Sequence, residues 1–317
     1  MRAYLIRRLL MSVLVLFGIS IIAFSMIHLS PGGPTAIYAV SPNIDARQLE
    51  RIEELLGLND PLHIQYVKWF GGVLTGEWGF SYRDGRPVTE VILERVPNTV
   101  ELTLASLIVA IGLGVPVGIF TASRAGTISR WIANMLTMTA ISMPTFWLGL
   151  MVILLFAERL RVIPSGGMFT IGAEFSLADR LHHLIAPALV LGTPSVATWW
   201  RYTHSGMVEV MLEDYVRTAR AKGLSERIVT YRHALKNVLI TLVTLAGLSL
   251  PNLFSGALVT EAVFAWPGNG RLLVESLVRR DYPVVMGNFM VITLLVVAGN
   301  LLADVSYALV DPRVRFE

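Results

Sequence analysis

The chain has 317 residues, of which 54% are hydrophobic and 15% charged, against about 25% charged residues in an average soluble protein. That deficit excludes a disordered chain and argues against a soluble enzyme. The absence of cysteine excludes a disulfide framework, thiol catalysis and Cys-ligated zinc or iron–sulfur sites. The net charge of +3 fits the Lys/Arg excess of a membrane protein better than a nucleic-acid surface.

The charges are unevenly spread. Six stretches carry none: 9–44, 102–123, 131–157, 181–200, 237–260 and 282–303, together 151 residues. A hydrocarbon layer of about 30 Å needs roughly 20 apolar residues in a helix, so each run is expected to supply one transmembrane helix. Lipid offers the backbone no hydrogen-bond partner, and the alternating strands of a barrel are absent. The longest other uncharged piece, 162–173, is broken by Pro164, Gly166 and Gly167. Arg2, Arg7 and Arg8 precede the first run as in a signal peptide, but no small-x-small site follows, so an uncleaved first helix is expected.

With the N-terminus inside, segments 1–8, 124–130, 201–236 and 311–317 face the cytoplasm and hold 14 Lys/Arg in 58 residues. The opposite segments hold 12 in 101. The twofold higher density inside is the positive-inside pattern.

Between the first two spans, 30–97 forms the largest piece outside the membrane. It opens on the turn Ser30-Pro31-Gly32-Gly33-Pro34 and continues with an expected helix over 46–56, ended by Gly57. Trp69, Trp78, Phe80 and Tyr82 follow; aromatics beside a span more often sit at headgroup level than in a ligand site. In the second run Gly112, Gly114, Pro116 and Gly118 include a G-x-x-x-G pair for close helix packing. Pro144, Pro194 and Pro251 mark later spans, and together these residues suit a bundle that changes shape.

Segment 209–236 reads as two helical stretches interrupted at Gly223, with Ser225 as N-cap of the second. Leu224, Ile228, Tyr231 and Leu235 fall on one apolar stripe with Arg227 and Arg232 off it. Such a stripe either packs against its own bundle or headgroups, or docks a cytoplasmic partner; periodicity leaves the two nearly even.

The chemistry is sparse. No G-x-x-x-x-G-K-[ST] loop surrounds Lys68, Lys222 or Lys236, so ATP cannot be held by a phosphate-binding loop. Adjacent His182 and His183 point about 100° apart on a helix and make a poor metal pair. Ser142 and Ser249 lack a nucleophile elbow, which places an intramembrane hydrolase far down. Glu101, Glu261 and Asp304 sit near helix ends, so an ion-coupled carrier with buried carboxylate chains is also disfavoured.

Y-V-R-T-A-R-A-K-G-L-S-E over 215–226 and R-H-A-L-K-N over 232–237 resemble the EAA-type loop of binding-protein-dependent ABC importer permeases, in the dipeptide/oligopeptide/nickel branch. The resemblance runs in order along the chain. It takes in L-S-P-G-G-P ending at Pro34, G-E-W-G-F-S-Y over 76–82, P-N-T-V-E-L-T-L over 97–104, S-M-P-T-F-W-L over 142–148 and P-S-G-G over 164–167. It ends with E-A-V-F-A-W-P-G-N-G-R-L-L over 261–273, R-D-Y-P-V-V over 280–285 and D-P-R over 311–313. The chain departs from that pattern at Thr241 and His204, where proline and arginine are common.

The resemblance implies an all-α integral membrane protein of the type I ABC importer permease fold, the B-type subunit of a permease pair, in a prokaryotic plasma membrane with both termini cytoplasmic. It implies first helix 1–28, cap loop 29–97, core 98–310 with a coupling hairpin at 209–236, and tail 311–317. Expected partners are a second permease, two ATPases carrying ATP and Mg, and an extracytoplasmic solute-binding protein; this chain would bind no cofactor or metal and is not an enzyme. Coupling would fall to Asp214, Tyr215, Arg217, Thr218, Ala219, Arg220, Ala221, Lys222, Gly223, Leu224 and Glu226. Glu101, Pro144, Asn252, Glu261 and Asp304 are the candidates for path or gate. The cargo would be peptides, with nickel, glutathione and oligosaccharides as the branch's alternatives.

Overall fold

The computed structural model describes residues 2–29, 33–35, 45–55, 57–123 and 128–310. Ser30, Pro31 and Gly32 of the opening turn, Leu56, the 124–127 connection, the 311–313 motif with the rest of the 311–317 tail, and the side chain of Asp304 lie outside that description.

The described residues form helices α1 (Arg2–His28), α2 (Ala46–Leu55), α3 (Leu62–Thr75), α4 (Val88–Leu93), α5 (Val96–Ser123), α6 (Ile128–Ser142) and α7 (Thr145–Val152). After a π-helical segment Ile153–Arg159 come α8 (Leu177–Val210), α9 (Asp214–Ala221), α10 (Glu226–Ile228), a second π segment Val229–Ala234, α11 (Leu235–Val263), α12 (Asn269–Val278) and α13 (Tyr282–Val310). Among the described residues four stretches are long and apolar enough to cross a membrane by themselves: Ile6–His28, Val88–Ser123, Thr241–Val263 and Tyr282–Ala303. They carry the first, second, fifth and sixth uncharged runs.

The third run departs from the expected single helix. Arg130–Ser142 and Thr145–Arg159 meet at 103°, and each arm is about 20 Å long, short of the hydrocarbon thickness. Pro144 is the cause: it supplies no N–H and drives the preceding residue out of helical geometry, and it stands as an extended N-cap, ψ 132°, from which α7 starts afresh. The fourth run lies within α8, a 34-residue helix of about 50 Å. This helix is more polar than the four long apolar stretches, with His182, His183, Thr193 and Pro194, and thirteen of its residues are buried. A helix enclosed by protein meets little lipid, so packing rather than hydropathy sets its composition.

The chain folds as two compact units. One comprises Thr99–Trp266 with Val296–Glu317, the other Arg2–Asn98 with Pro267–Leu295. In the first, α8 is the central element. Leu184, Ala188 and Leu191 of α8 pack with Leu102, Leu253, Ala257 and Trp266, and Trp199 and Met207 with Ala110, Ile119, Val238 and Leu242. Gly114 and Gly118 let α5 lie directly on α8: a Cβ on Gly114 would stand 2.8 Å from the Val196 carbonyl oxygen, and one on Gly118 2.5 Å from Thr203 Cβ. Gly112 faces open space.

In the second unit, Phe17, Phe24, Tyr66, Trp69 and Phe70 interlock along α1 and α3 with ring centroids 5.4–6.3 Å apart. Trp78 donates its indole N–H to the Val73 carbonyl at 3.0 Å and packs on a core of Val88, Val91, Ile92, Leu272, Val284 and Val291. Trp69 and Trp78 are therefore engaged in packing, while Phe80 is exposed. Helices α3 and α12 go beyond the sequence expectations. Pro61 before α3 and Gly76 after it, φ +86°, are the punctuation that marks it.

Asp281 ties this unit together. The residue is 3% exposed, and its carboxylate accepts the Ser81 hydroxyl at 2.5 Å and the Tyr82 N–H at 3.0 Å. Asp281→Ala leaves both donors without that acceptor and removes two charge-assisted bonds, at a cost of about 3 kcal/mol. A thermal melt of the purified chain should fall markedly for Asp281→Ala and less for Asp281→Asn; an unchanged melt for the Ala variant contradicts this account.

Candidate functional site

The hairpin between α8 and α11 begins at α9. Its Asp214 lies in the first turn, where a carboxylate complements the helix dipole, and Thr218 donates its hydroxyl back to the Asp214 carbonyl at 2.9 Å. At the other end Gly223 is left-handed, φ +78°. The Gly223 N–H reaches the Arg220 carbonyl at 2.9 Å and the Leu224 N–H the Ala219 carbonyl at 3.4 Å, the paired bonds of a Schellman turn. Ser225 follows as an extended N-cap without a side-chain capping bond, and α10 starts there.

Val216 and Ala219 are buried, packing with Val229, Val210 and Met211. Ala219 is thus an internal contact among the expected coupling residues. Arg220 is held across the turn by Glu226, Nε to Oε1 at 2.8 Å and a second guanidinium nitrogen to Oε2 at 3.3 Å. The Asn237 side-chain amide donates to the Tyr215 hydroxyl, fixing α9 to α11. Arg217 makes a loose 3.4 Å contact with Asp214, both highly exposed. Thr218, Ala221 and Lys222 are exposed.

The apolar stripe lies outward. Leu224, Ile228 and Tyr231 are exposed, Tyr231 at 56%, with Leu212 at 65% and Tyr215 beside them; Leu235 is half-buried. The inward face of the second stretch is instead Val229, Thr230 and Ala234, because the π segment shifts the register after Ile228. Arg227 and Arg232, expected off the stripe, share a shallow concavity of about 340 Å³ with Ile228 and Tyr231. Spacing explains it: 227 and 231, and 228 and 232, are i,i+4 neighbours.

The other candidates are dispersed. Glu101 forms a two-pronged ion pair with Arg180, Nε to Oε1 at 2.9 Å, and the Arg180 guanidinium lies 6.0 Å from the Trp266 ring centroid. Pro144 stands at the α6–α7 bend. Asn252 is exposed on α11, and Glu261 near its end is fully buried. His182 and His183 each bond a backbone carbonyl, of Val162 and Asp179, at 2.9 Å.

A bundle of long apolar helices with a hairpin that presents an outward apolar and basic face fits an integral membrane permease. The family model "Binding-protein-dependent transport system inner membrane component" matches residues 114–316, and its N-terminal counterpart, "Binding-prot-dependent transport system membrane comp, N-term", matches residues 1–103. The chain belongs to this family of binding-protein-dependent transport permeases, multi-pass proteins of the inner membrane. It is 42% identical over 317 residues to the oligopeptide transport system permease protein AppB of Bacillus subtilis (strain 168), covering 100% of both chains. It is 36% identical to the dipeptide transport system permease protein DppB of Escherichia coli (strain K12) and 38% identical to the glutathione transport system permease protein GsiC of Salmonella paratyphi A, covering 99% of each chain in both comparisons. A chain from the solved structure of inward-facing conformations of the MetNI methionine ABC transporter superposes with TM-score 0.56 at 18% identity, over 70% of this chain and 97% of that one. The fold is that of a type I ABC importer permease.

Proposed function

We propose that this chain is the permease subunit of an ATP-driven peptide importer. It pairs with a homologous second permease, two cytoplasmic ATPases that hold ATP and Mg, and an extracytoplasmic solute-binding protein. The observation that carries the coupling role is the outward apolar stripe of the hairpin, Leu212, Tyr215, Leu224, Ile228 and Tyr231, bordered by Arg217, Lys222, Arg227 and Arg232. Apolar surface of this kind on a soluble face marks an interaction site, and a chain without a phosphate-binding loop must receive the energy of ATP through such a contact.

In this reading α9 seats in a groove of one ATPase. Asp214, Tyr215, Arg217, Thr218, Ala221, Lys222 and Leu224 face the partner; Ala219, Arg220, Gly223 and Glu226 hold the hairpin's shape. The density of Lys/Arg puts the hairpin, both termini and the 311–317 tail in the cytoplasm. The cap 29–97 then meets the binding protein, after the first helix 1–28 and before the core 98–310. Spans two to five line the path, with Glu101, Pro144, Asn252, Glu261 and Asp304 as path or gate residues. ATP binding biases the bundle between inward- and outward-open states only insofar as the hairpin's contacts differ between them.

The oligopeptide and dipeptide permeases among the relatives support peptides as cargo, and the glutathione permease extends that class to a modified tripeptide. The test is uptake of labelled di- and oligopeptides into proteoliposomes holding the chain with its partner subunits. Uptake should need ATP, the ATPases and the binding protein together. Transport by the purified chain alone would replace this reading with a stand-alone carrier.

A further inference from the structure

Where α6 and α8 run side by side, Arg130, Trp131, Asn134, Met138, Arg201 and His204 line an open concavity of about 670 Å³. Its polar end is strongly basic. No carboxylate lines it, and among the described residues neither Arg130 nor Arg201 has an ion-pair partner. One wall is built rigidly. The buried Trp200 donates its indole N–H to the Thr121 hydroxyl at 3.0 Å, His204 Nδ1 lies 3.0 Å from the same oxygen, and the two rings stack with centroids 5.6 Å apart. Because the Thr121 hydroxyl donates to the Val117 carbonyl at 2.9 Å, it accepts from both rings. Nε2 is then the free polar atom of the His204 imidazole. Burial, and then the nearby Arg130 charge, hold the His204 pKa below its ordinary value.

Along α6 the concavity is lined by the exposed Trp131 and Met138, with Asn134 and Thr137 between them, and Met138 lies about 12 Å along the helix from Arg130. Arg130 immediately precedes the uncharged run 131–157 and Arg201 immediately follows 181–200. Basic residues flanking uncharged runs of this length suit the headgroup side of a membrane.

We propose that this concavity binds an anionic membrane lipid, its phosphate held between Arg130 and Arg201 and one acyl chain along Trp131 and Met138. Two guanidiniums without an ion-pair partner among the described residues match a phosphodiester in two-pronged fashion, and basic recesses between helices are suited to acidic headgroups. A zwitterionic lipid brings its own cation into the same field and is disfavoured. A free phosphate shares the headgroup chemistry but has nothing to place along Trp131 and Met138.

The test is native mass spectrometry of the full-length chain in detergent with phosphatidylglycerol, phosphatidylcholine of the same acyl chains, or inorganic phosphate. The unmodified chain should retain phosphatidylglycerol in preference to phosphatidylcholine. Arg130→Gln with Arg201→Gln should lower that retention roughly tenfold. Two comparisons guard against misfolding: Arg227→Gln with Arg232→Gln removes the same charge on the hairpin and should retain the lipid, and Arg130→Lys with Arg201→Lys should retain an intermediate amount. Equal retention of the two lipids, or retention indifferent to Arg130 and Arg201, overturns the proposal. Displacement by millimolar inorganic phosphate assigns the site to a soluble phosphate and overturns the lipid.

Discussion

Gly223→Val is expected to cut ATP-driven peptide uptake by an order of magnitude or more while leaving the chain folded and inserted. A Cβ at Gly223 meets nothing within 4 Å, so the space is open and only the backbone objects. At φ +78° an L-residue is strained, and a β-branched one costs about 2 kcal/mol or more. Relief of that strain opens the Schellman bonds to Arg220 and Ala219 and loosens the Arg220–Glu226 clamp. If about 2 kcal/mol is lost from the docking-competent hairpin, its population falls roughly 30-fold. The order of activity should be Gly, then Asn, then Ala, then Val, since Asn tolerates the left-handed region better than other side chains. Normal uptake together with normal stimulation of the ATPases in the Val variant would remove the hairpin from the coupling role.

The second large effect lies in the bundle itself. Gly118→Leu and Gly114→Val should destabilise the chain at the top of the roughly 1–3 kcal/mol range for overpacking, because some of the atoms met first belong to backbone. A Cβ at Gly114 would stand 2.8 Å from the Val196 oxygen and 3.0 Å from the Trp200 nitrogen. Such atoms retreat only if α8 moves as a whole. Gly112→Ala, two residues before Gly114 on the same helix, meets open space and should be tolerated. Size-exclusion profiles and melting temperatures of the three variants in detergent would separate them. Equal behaviour of Gly112→Ala and Gly118→Leu would show that the α5–α8 contact is not the constraint described.

These two experiments touch different kinds of legibility. The break at Gly223 can be read from sequence because glycine before a serine N-cap is local chemistry. Gly112, Gly114 and Gly118 are indistinguishable by type, and only the packing of α8 shows that the last two carry the contact while the first does not. The stripe of Leu224, Ile228 and Tyr231 is legible as apolar, but which way it faces is not. That depends on the π segment at Val229–Ala234 and on Val216 and Ala219 taking the inward seats. Similarly Glu101 reads as a polar residue near a helix end, whereas its partner Arg180 is brought to it only by tertiary structure.

By itself the sequence determined the properties that follow from local composition: an α-helical membrane protein, the positions of its apolar runs, the turns at Gly57 and Gly223, and the lack of a phosphate-binding loop. Pro144 marks the break in the third run, but the tertiary structure alone decided the enclosure of α8, the pairing of Glu101 with Arg180, and the gathering of Arg130, Arg201 and His204 around one recess. The physical reason is range. Hydropathy, capping and proline act within a few residues, whereas burial and ion pairing depend on which distant helices the bundle sets side by side.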